Sequence, residues 1–419
     1  MNLLKKGFAA YVTVAVLLLL SPAVVWSGMP ETPVVDSVQT SQRIFSSDVI
    51  FHDEFEDSLN LSQKYIDYNS ANGDCDISET VGFGGSSKAL RARWQQGQVD
   101  AGSITYMFGR NPSGSQSNTS TDFQEIYWRF YMKTSKGWTG NPRKLSRATI
   151  ITSGNWNQAM IAHLWGENDT LLEIDPATGI DANNNLVTTT YNDFAHLRWL
   201  GLRKGATPVY DTSRSNTWHC IEIHVKLNTP GSSDGIFEFW IDGNLEASRK
   251  DLNWVGSWQD YGINTVMFGN YWNEGATRAQ ERYIDNIVIS TKKIGLATSP
   301  VNPIIYVSQF EDPSLEDTQG ALNAQVSTAP DVSTLVWTGG ITGQQNVLQV
   351  TAKNGSFQGS LSEKTSLDPA TIYFVRVQHV DNNAISSGWS DWKKFMTEGS
   401  QGDNVPPLPP MGVRAEQIQ

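Results

Sequence analysis

The chain has 419 residues and a net charge of −12, with Asp plus Glu exceeding Lys plus Arg by 43 to 31. That balance argues against a general nucleic-acid binder, which needs a basic surface, and two cysteines are too few for a disulfide framework or a zinc cluster. The length accommodates two or three domains, and fifteen tryptophans are many for such a chain.

Lys5 and Lys6 precede an apolar run from Phe8 to Leu20, followed by Ser21-Pro22 and a small-residue exit near Ser27-Gly28. This is the layout of a secretory signal peptide over residues 1–27, and its apolar run of 13 residues is short for a bilayer span of about 20. The mature protein is expected outside the cytoplasm, without a membrane span, where Cys75 and Cys220 can pair if the fold brings them together. Residues 28–44 read as a polar, Pro-bearing linker. From Val49 onward short runs rich in Ile, Val, Phe, Tyr and Trp alternate with period two between Gly, Asn, Asp and Ser clusters. That pattern predicts an all-β, sandwich-type protein. Composition shifts at Ser299-Pro300-Val301-Asn302-Pro303 and after Thr397 divide it into a large domain at 45–296, a small one at 303–397 and a Pro-rich tail at 398–419.

The large domain opens with Phe51-His52-Asp53-Glu54-Phe55-Glu56. Later come the paired strands Trp218–Leu227 and Ile236–Asp242, then Met267-Phe268-Gly269-Asn270-Tyr271-Trp272 and the closing Tyr283-Ile284-Asp285-Asn286-Ile287-Val288-Ile289. This succession resembles the concanavalin A-like (laminin-G-like) jelly rolls, including their polysaccharide-lyase branch. The resemblance implies a two-sheet sandwich and speaks to fold, since lectins, adhesins, hydrolases and lyases share it.

Strand parity assigns faces. Ile126, Trp128, Phe130 and Met132 are expected in the core, opposite Tyr127, Arg129, Tyr131 and Lys133; Ile221, Ile223 and Val225 are expected opposite Cys220, Glu222, His224 and Lys226. The polar-aromatic faces suit a solvated sheet or a sugar platform, with Tyr127, Tyr131, Trp165, Trp240, Tyr271 and Trp272 as stacking candidates. Between Ile126 and Gly166 there is no acid, while Arg129, Lys133, Lys136, Arg143, Lys144, Arg147 and His163 occur; Phe194 to Tyr210 is also acid-free. Such segregation predicts a local basic cleft, suited to an anionic, uronic-acid polysaccharide whose carboxylates Arg can bind bidentately. On this reading Tyr127, Arg129 and Tyr131 share one sheet face with His163, and Lys133, Arg143, Lys144, Trp165, Trp240, Asn270 and Trp272 bind sugar.

Elimination across a uronide needs a neutraliser for the carboxylate, a base and an acid. Lyases on related jelly rolls use Arg, His, Tyr and Asn or Gln in such roles. The resemblance offers Arg129 to neutralise, His163 or His224 as base, and Tyr131 or Tyr271 as acid. A hydrolase needs paired carboxylates. Leu172-Glu173-Ile174-Asp175 begins like a glucanase strand, yet Thr178 stands where the second acid belongs, and Pro176 is expected to break the strand. The resemblance also implies a structural Ca²⁺ held by Glu56 and Asp285.

The small domain resembles a fibronectin type III module. It carries the tyrosine-corner segment Leu367–Tyr373, the segment Ser387-Gly388-Trp389-Ser390-Asp391-Trp392 whose Trp is expected to stack with Arg376, and a core Trp337. Contact with cell-surface components is its expected role. Together these features predict an exported protein that binds an anionic polysaccharide. A polyuronate lyase and a non-catalytic surface adhesin are the alternatives.

Overall fold

The computed structural model describes residues 28–40, 47–114, 117–118, 120–166 and 170–399. The expected signal peptide, residues 41–44 of the expected linker with the first two residues of the expected large domain, and the tail from residue 400 lie outside the described residues.

Two eight-stranded antiparallel sheets pack face to face between residues 49 and 290. The front sheet runs, from one edge to the other, Arg198–Trp199, Leu172–Thr178, Gln158–Gly166, Lys144–Ile151, Thr265–Tyr271, Asp100–Met107 and Asp67–Asn69, with Arg203–Lys204 beside Leu172–Thr178. The back sheet runs Asn244–Leu252, Gly235–Ile241, His219–Lys226, Glu125–Thr134, Gln280–Ser290, Ala89–Trp94 and Cys75–Ser78, with Val49–Asp53 beside Gln280–Ser290. The two inner faces form one core: Ile126, Trp128, Phe130, Ile221, Ile223 and Val225 from the back sheet meet Ala148, Ile150, Ala162, Leu164, Ile174 and Phe268 from the front. The core parity expected from alternation therefore holds. A buried hydrogen bond from Trp128 Nε1 to Ser146 Oγ (2.9 Å) joins the two layers.

Leu172–Thr178 is continuous despite Pro176. Its partners on the outer side are two dipeptide strands, and Pro176 falls in the gap between them. Its carbonyl accepts Leu200 N–H (2.8 Å), and no ladder bond needs the missing N–H.

A second sandwich follows, with a six-stranded sheet (Thr298–Ser299, Lys393–Thr397, Ile372–Asp381, Gln319–Ser327, Leu335–Thr342, Gly355–Phe357) and a three-stranded one. The latter corrects the expected linker. Val35–Val38 is a strand, paired antiparallel with Ile304–Val307, so the described residues enter the second sandwich before the large one and return to it afterwards. Val35 and Val38 enter the small core with Trp337, which explains why this short valine-bearing segment orders. Arg376 sits 4.7 Å from both Trp389 and Trp392, and Tyr373 Oη accepts Asp368 N–H at 3.0 Å. Cys75 and Cys220 are both buried free thiols, with burial pushing each pKa up to about 12. Among the described residues no helix is long and apolar enough to cross a membrane.

Candidate functional site

The outer face of the front sheet carries a cleft of about 600 Å³. Cross-strand register lays Thr105, Met267, Arg147, His163 and Asp175 side by side across five strands, and Met267, Arg147 and His163 of this row line the cleft. Lys144 would face the core if its strand were regular, because it lies an odd number of residues from Arg147. A bulge between Lys144 and Ser146 resets the parity and places Lys144 beside Trp165 on the cleft face. Tyr191, Asn192 and Phe194 form one wall; Asn69, Asp100 and the half-exposed Tyr271 form the other.

Three cations converge on aromatic rings here. The Arg143 guanidinium lies 4.5 Å and Lys144 Nζ 4.4 Å from the Trp165 ring, and Arg147 lies 4.6 Å from Tyr191. Arg143 also pairs with the buried Glu173 at 3.7 Å, and Arg147 donates to Asn192 Oδ1 (2.9 Å) and Met267 Sδ (3.3 Å). Burial, then the charges of Arg147 and Arg143, bring the Lys144 ammonium down to about 7; burial brings Arg147 to about 10. His163 is held well below the usual imidazole value by burial first, then by Arg147 and Lys144. It is therefore neutral at physiological pH, with Nδ1 3.1 Å from the Asp175 carbonyl. This assigns the proton to Nδ1 and leaves Nε2 an acceptor, buried and without a partner among the described residues. The ring stacks on Trp165 at 4.2 Å and Trp199 at 5.5 Å, which cover it.

The structure divides the expected site between two sheets. Arg143, Lys144, His163, Trp165 and Tyr271 come together in the cleft, with the side chain of Asn270 turned inward to Arg282 Nη2 (2.6 Å) at its border. Tyr127, Arg129, Tyr131, Lys133, His224 and Trp240 belong to the outer face of the back sheet, so the expectation that Tyr127, Arg129 and Tyr131 share a face with His163 is corrected. There Arg129, 2% exposed, donates to Asn286 Oδ1 and to the Gly295 carbonyl, while Glu222 accepts Ile294 and Gly295 N–H. Tyr131 stacks on Phe83 at 3.5 Å and accepts Ala297 N–H, and Lys133 pairs with Asp36. These residues are covered by residues 294–297 and by the second sandwich, whose Lys393 donates to the Trp218 carbonyl. His224 is fixed between Glu125 (2.7 Å) and Glu238 (3.3 Å) and stacked on Tyr127, and Lys293 covers Trp240 at 4.2 Å. Trp272 is a core residue, against Trp94 and Trp138.

Glu56 accepts hydrogen bonds from Ser86, Ser87 and Lys88, and Asp285 from Phe83 and Asn286 N–H. Burial, reinforced by the charge of Glu54, raises the Asp285 carboxyl well above its ordinary range. A cation beside it would offset that burial, and this is the one observation here that fits the expected Ca²⁺.

Among the cleft residues absent from the expected set are Arg147, Tyr191, Asn192 and Phe194, with Trp199 beside them over His163. Arg147 carried a signal, its place in the acid-free run. The others lie in residues 191–199, where no periodicity points to a face.

No protein-family model matches the sequence. A curated relative, Exolysin of Paramecium bursaria Chlorella virus 1, is 30% identical over 92 residues, which is 21% of this chain and 14% of that protein. Among solved structures, the endo-β-1,4-glucuronan lyase of the fungus Trichoderma reesei is similar at 14% identity and TM-score 0.41, over 58% of this chain and 96% of that one. The PL-14 alginate lyase of Aplysia kurodai is similar at 15% identity and TM-score 0.41, over 59% and 100%. Identities this low carry no residue roles across.

Proposed function

We propose that the front-sheet cleft binds an anionic, uronic-acid-containing polysaccharide. The observation that carries this reading is the convergence of Arg143, Lys144 and Arg147 on the Trp165 and Tyr191 rings in one open groove. A polyuronate presents both complements, a carboxylate for the cations and an apolar ring face for the aromatics. Binding should favour polyuronates over a neutral glucan and weaken as salt rises from about 0.05 to 0.5 M, since the screening length in the open groove falls from roughly 14 Å to about 4 Å over that range. Arg143→Ala should cost about tenfold in affinity, the scale of one charge-assisted contact. Equal, salt-insensitive titration curves for polyuronate and neutral glucan would overturn the reading.

A second reading, β-elimination, is favoured by the Lys144 amine, whose value of about 7 makes it a base near neutral pH. In such a step Lys144 takes the proton beside the uronate carboxylate, which the neighbouring guanidinium groups neutralise. The freed electron pair forms the C4=C5 double bond as the C4–O bond breaks, and Tyr271 supplies the proton to the departing oxygen. His163, expected as the base, lies beneath Trp165 and Trp199 and positions the floor instead. Lys144 also sets the pH dependence of binding. The Lys144 charge is present below pH 7 and lost above it, while uronates stay ionised throughout. Polyuronate affinity should therefore fall several-fold between about pH 6 and pH 8.5, and Lys144→Met should remove the slope.

The same reading takes the protein as exported and the second sandwich as a fibronectin type III-like unit that engages cell-surface components. It also takes Glu56 and Asp285 as holders of a structural Ca²⁺. Glu56→Gln should then abolish any chelator-induced drop in the melting temperature of the large sandwich.

A further inference from the structure

Three aspartates gather at one end of the second sandwich, far along the chain from the cleft. Asp312 and Asp317 lie on the connection between strands Ile304–Val307 and Gln319–Ser327, and Asp381 ends strand Ile372–Asp381. One carboxylate oxygen from each lies within 4.8 Å of the others. Asp381 is 2% exposed. Its Oδ1 accepts Asn383 N–H (2.8 Å) and Ile385 N–H (2.7 Å), and its Oδ2 is buried with no hydrogen-bond partner among the described residues. Asp312 repeats the arrangement: Oδ1 accepts Ser314 N–H (2.8 Å), and Oδ2 is buried and unpartnered among the described residues. Asn383 Nδ2 donates to Asp317 Oδ1 (2.6 Å), and Thr318 N–H to Asn382 Oδ1 (2.9 Å), so the two segments are already tied together.

We infer that Asp312, Asp317 and Asp381 form a site for a hard divalent cation of the Ca²⁺ type. Burying a carboxylate oxygen with no donor is costly, as at Asp312 and Asp381, and crowding a third carboxylate beside them adds repulsion. A bound dication removes both penalties. The donor set is oxygen only, with neither imidazole nor thiolate, which selects Ca²⁺ over zinc or copper. Oxygens all within 4.8 Å of one another can surround a single ion with Ca–O distances of roughly 2.3–2.6 Å. Water and backbone carbonyls complete the shell. The ion pins residues 308–318 to the turn at 381–385, closing that end of the small sandwich. The site is separate from Glu56 and Asp285, which belong to the large one.

Calorimetric titration of chelator-stripped protein with CaCl₂, up to about 1 mM, tests this in the range where extracellular calcium modules bind. Asp317 is half-buried and caps no turn, so Asp317→Asn is the first variant; Asp312→Asn is the second. Each should weaken one Ca²⁺-binding event at least tenfold, whereas Glu56→Gln should leave that event intact. Ca²⁺ should also raise the melting temperature of the wild type more than that of either variant. The inference is overturned if the wild type binds no Ca²⁺, or if all its binding survives in both Asp variants. The polysaccharide reading does not depend on either outcome.

Discussion

Lys144→Met should lower polyuronate elimination by about 10²–10⁴-fold, the usual contribution of a positioned base, while lowering binding at pH 6 by only about tenfold. The two effects carry opposite pH signs in the wild type. Binding uses the ammonium and falls as pH rises through 7; proton abstraction uses the free amine and rises through the same range. A double-bond absorbance assay run beside a binding titration from pH 6 to 9 separates them. A rate that is flat across pH 7, or unchanged in Lys144→Met, would remove Lys144 from the elimination step. Absence of turnover by the wild type on every polyuronate would leave the cleft as a binding site only. Folding provides the control. The Lys144 amine has a depressed value in the folded state, so above pH 7 the unfolded chain binds more protons, and stability from this residue rises between about pH 7 and 10. Lys144→Met should lose that slope and melt no lower than the wild type, which distinguishes lost chemistry from lost structure.

Arg129→Ala should destabilise the protein by about 3 kcal/mol, because it strips a charged donor from two acceptors, Asn286 Oδ1 and the Gly295 carbonyl. In a sandwich of this size that corresponds to a fall of roughly 6–12 °C in melting temperature. Polyuronate binding by the folded variant should stay within about twofold of the wild type, since Arg129 lies on the sheet that turns away from the cleft. A large loss of affinity with an unchanged melting curve would return Arg129 to the binding site. Lys133→Ala, which breaks the pair with Asp36, should behave similarly but more mildly, loosening the contact between the two sandwiches.

The all-β class, the two-sheet sandwich and the core faces were legible in the residues themselves. Period-two alternation records which side chains must leave water, and Trp128, Ile221 and Phe130 carry that record directly. The acid-free stretch was legible too, as was the conjunction of Arg143, Lys144, His163 and Trp165. Which sheet each strand joins was not. Alternation distinguishes inside from outside within one strand, but both sheets of a sandwich have an outside. The basic run therefore crosses from the back sheet, where Arg129, Lys133 and Lys136 are consumed by structural partners, to the front, where Arg143, Lys144 and Arg147 remain at a cleft. The bulge that turns Lys144 outward, the pairing of Val35–Val38 into the second sandwich, and the meeting of Asp312 with Asp381 were likewise decided by tertiary structure. Each depends on register or on pairing between distant segments. Hydrogen-bond geometry sets these only once the strands are side by side, and a linear pattern of apolar and polar residues does not encode it.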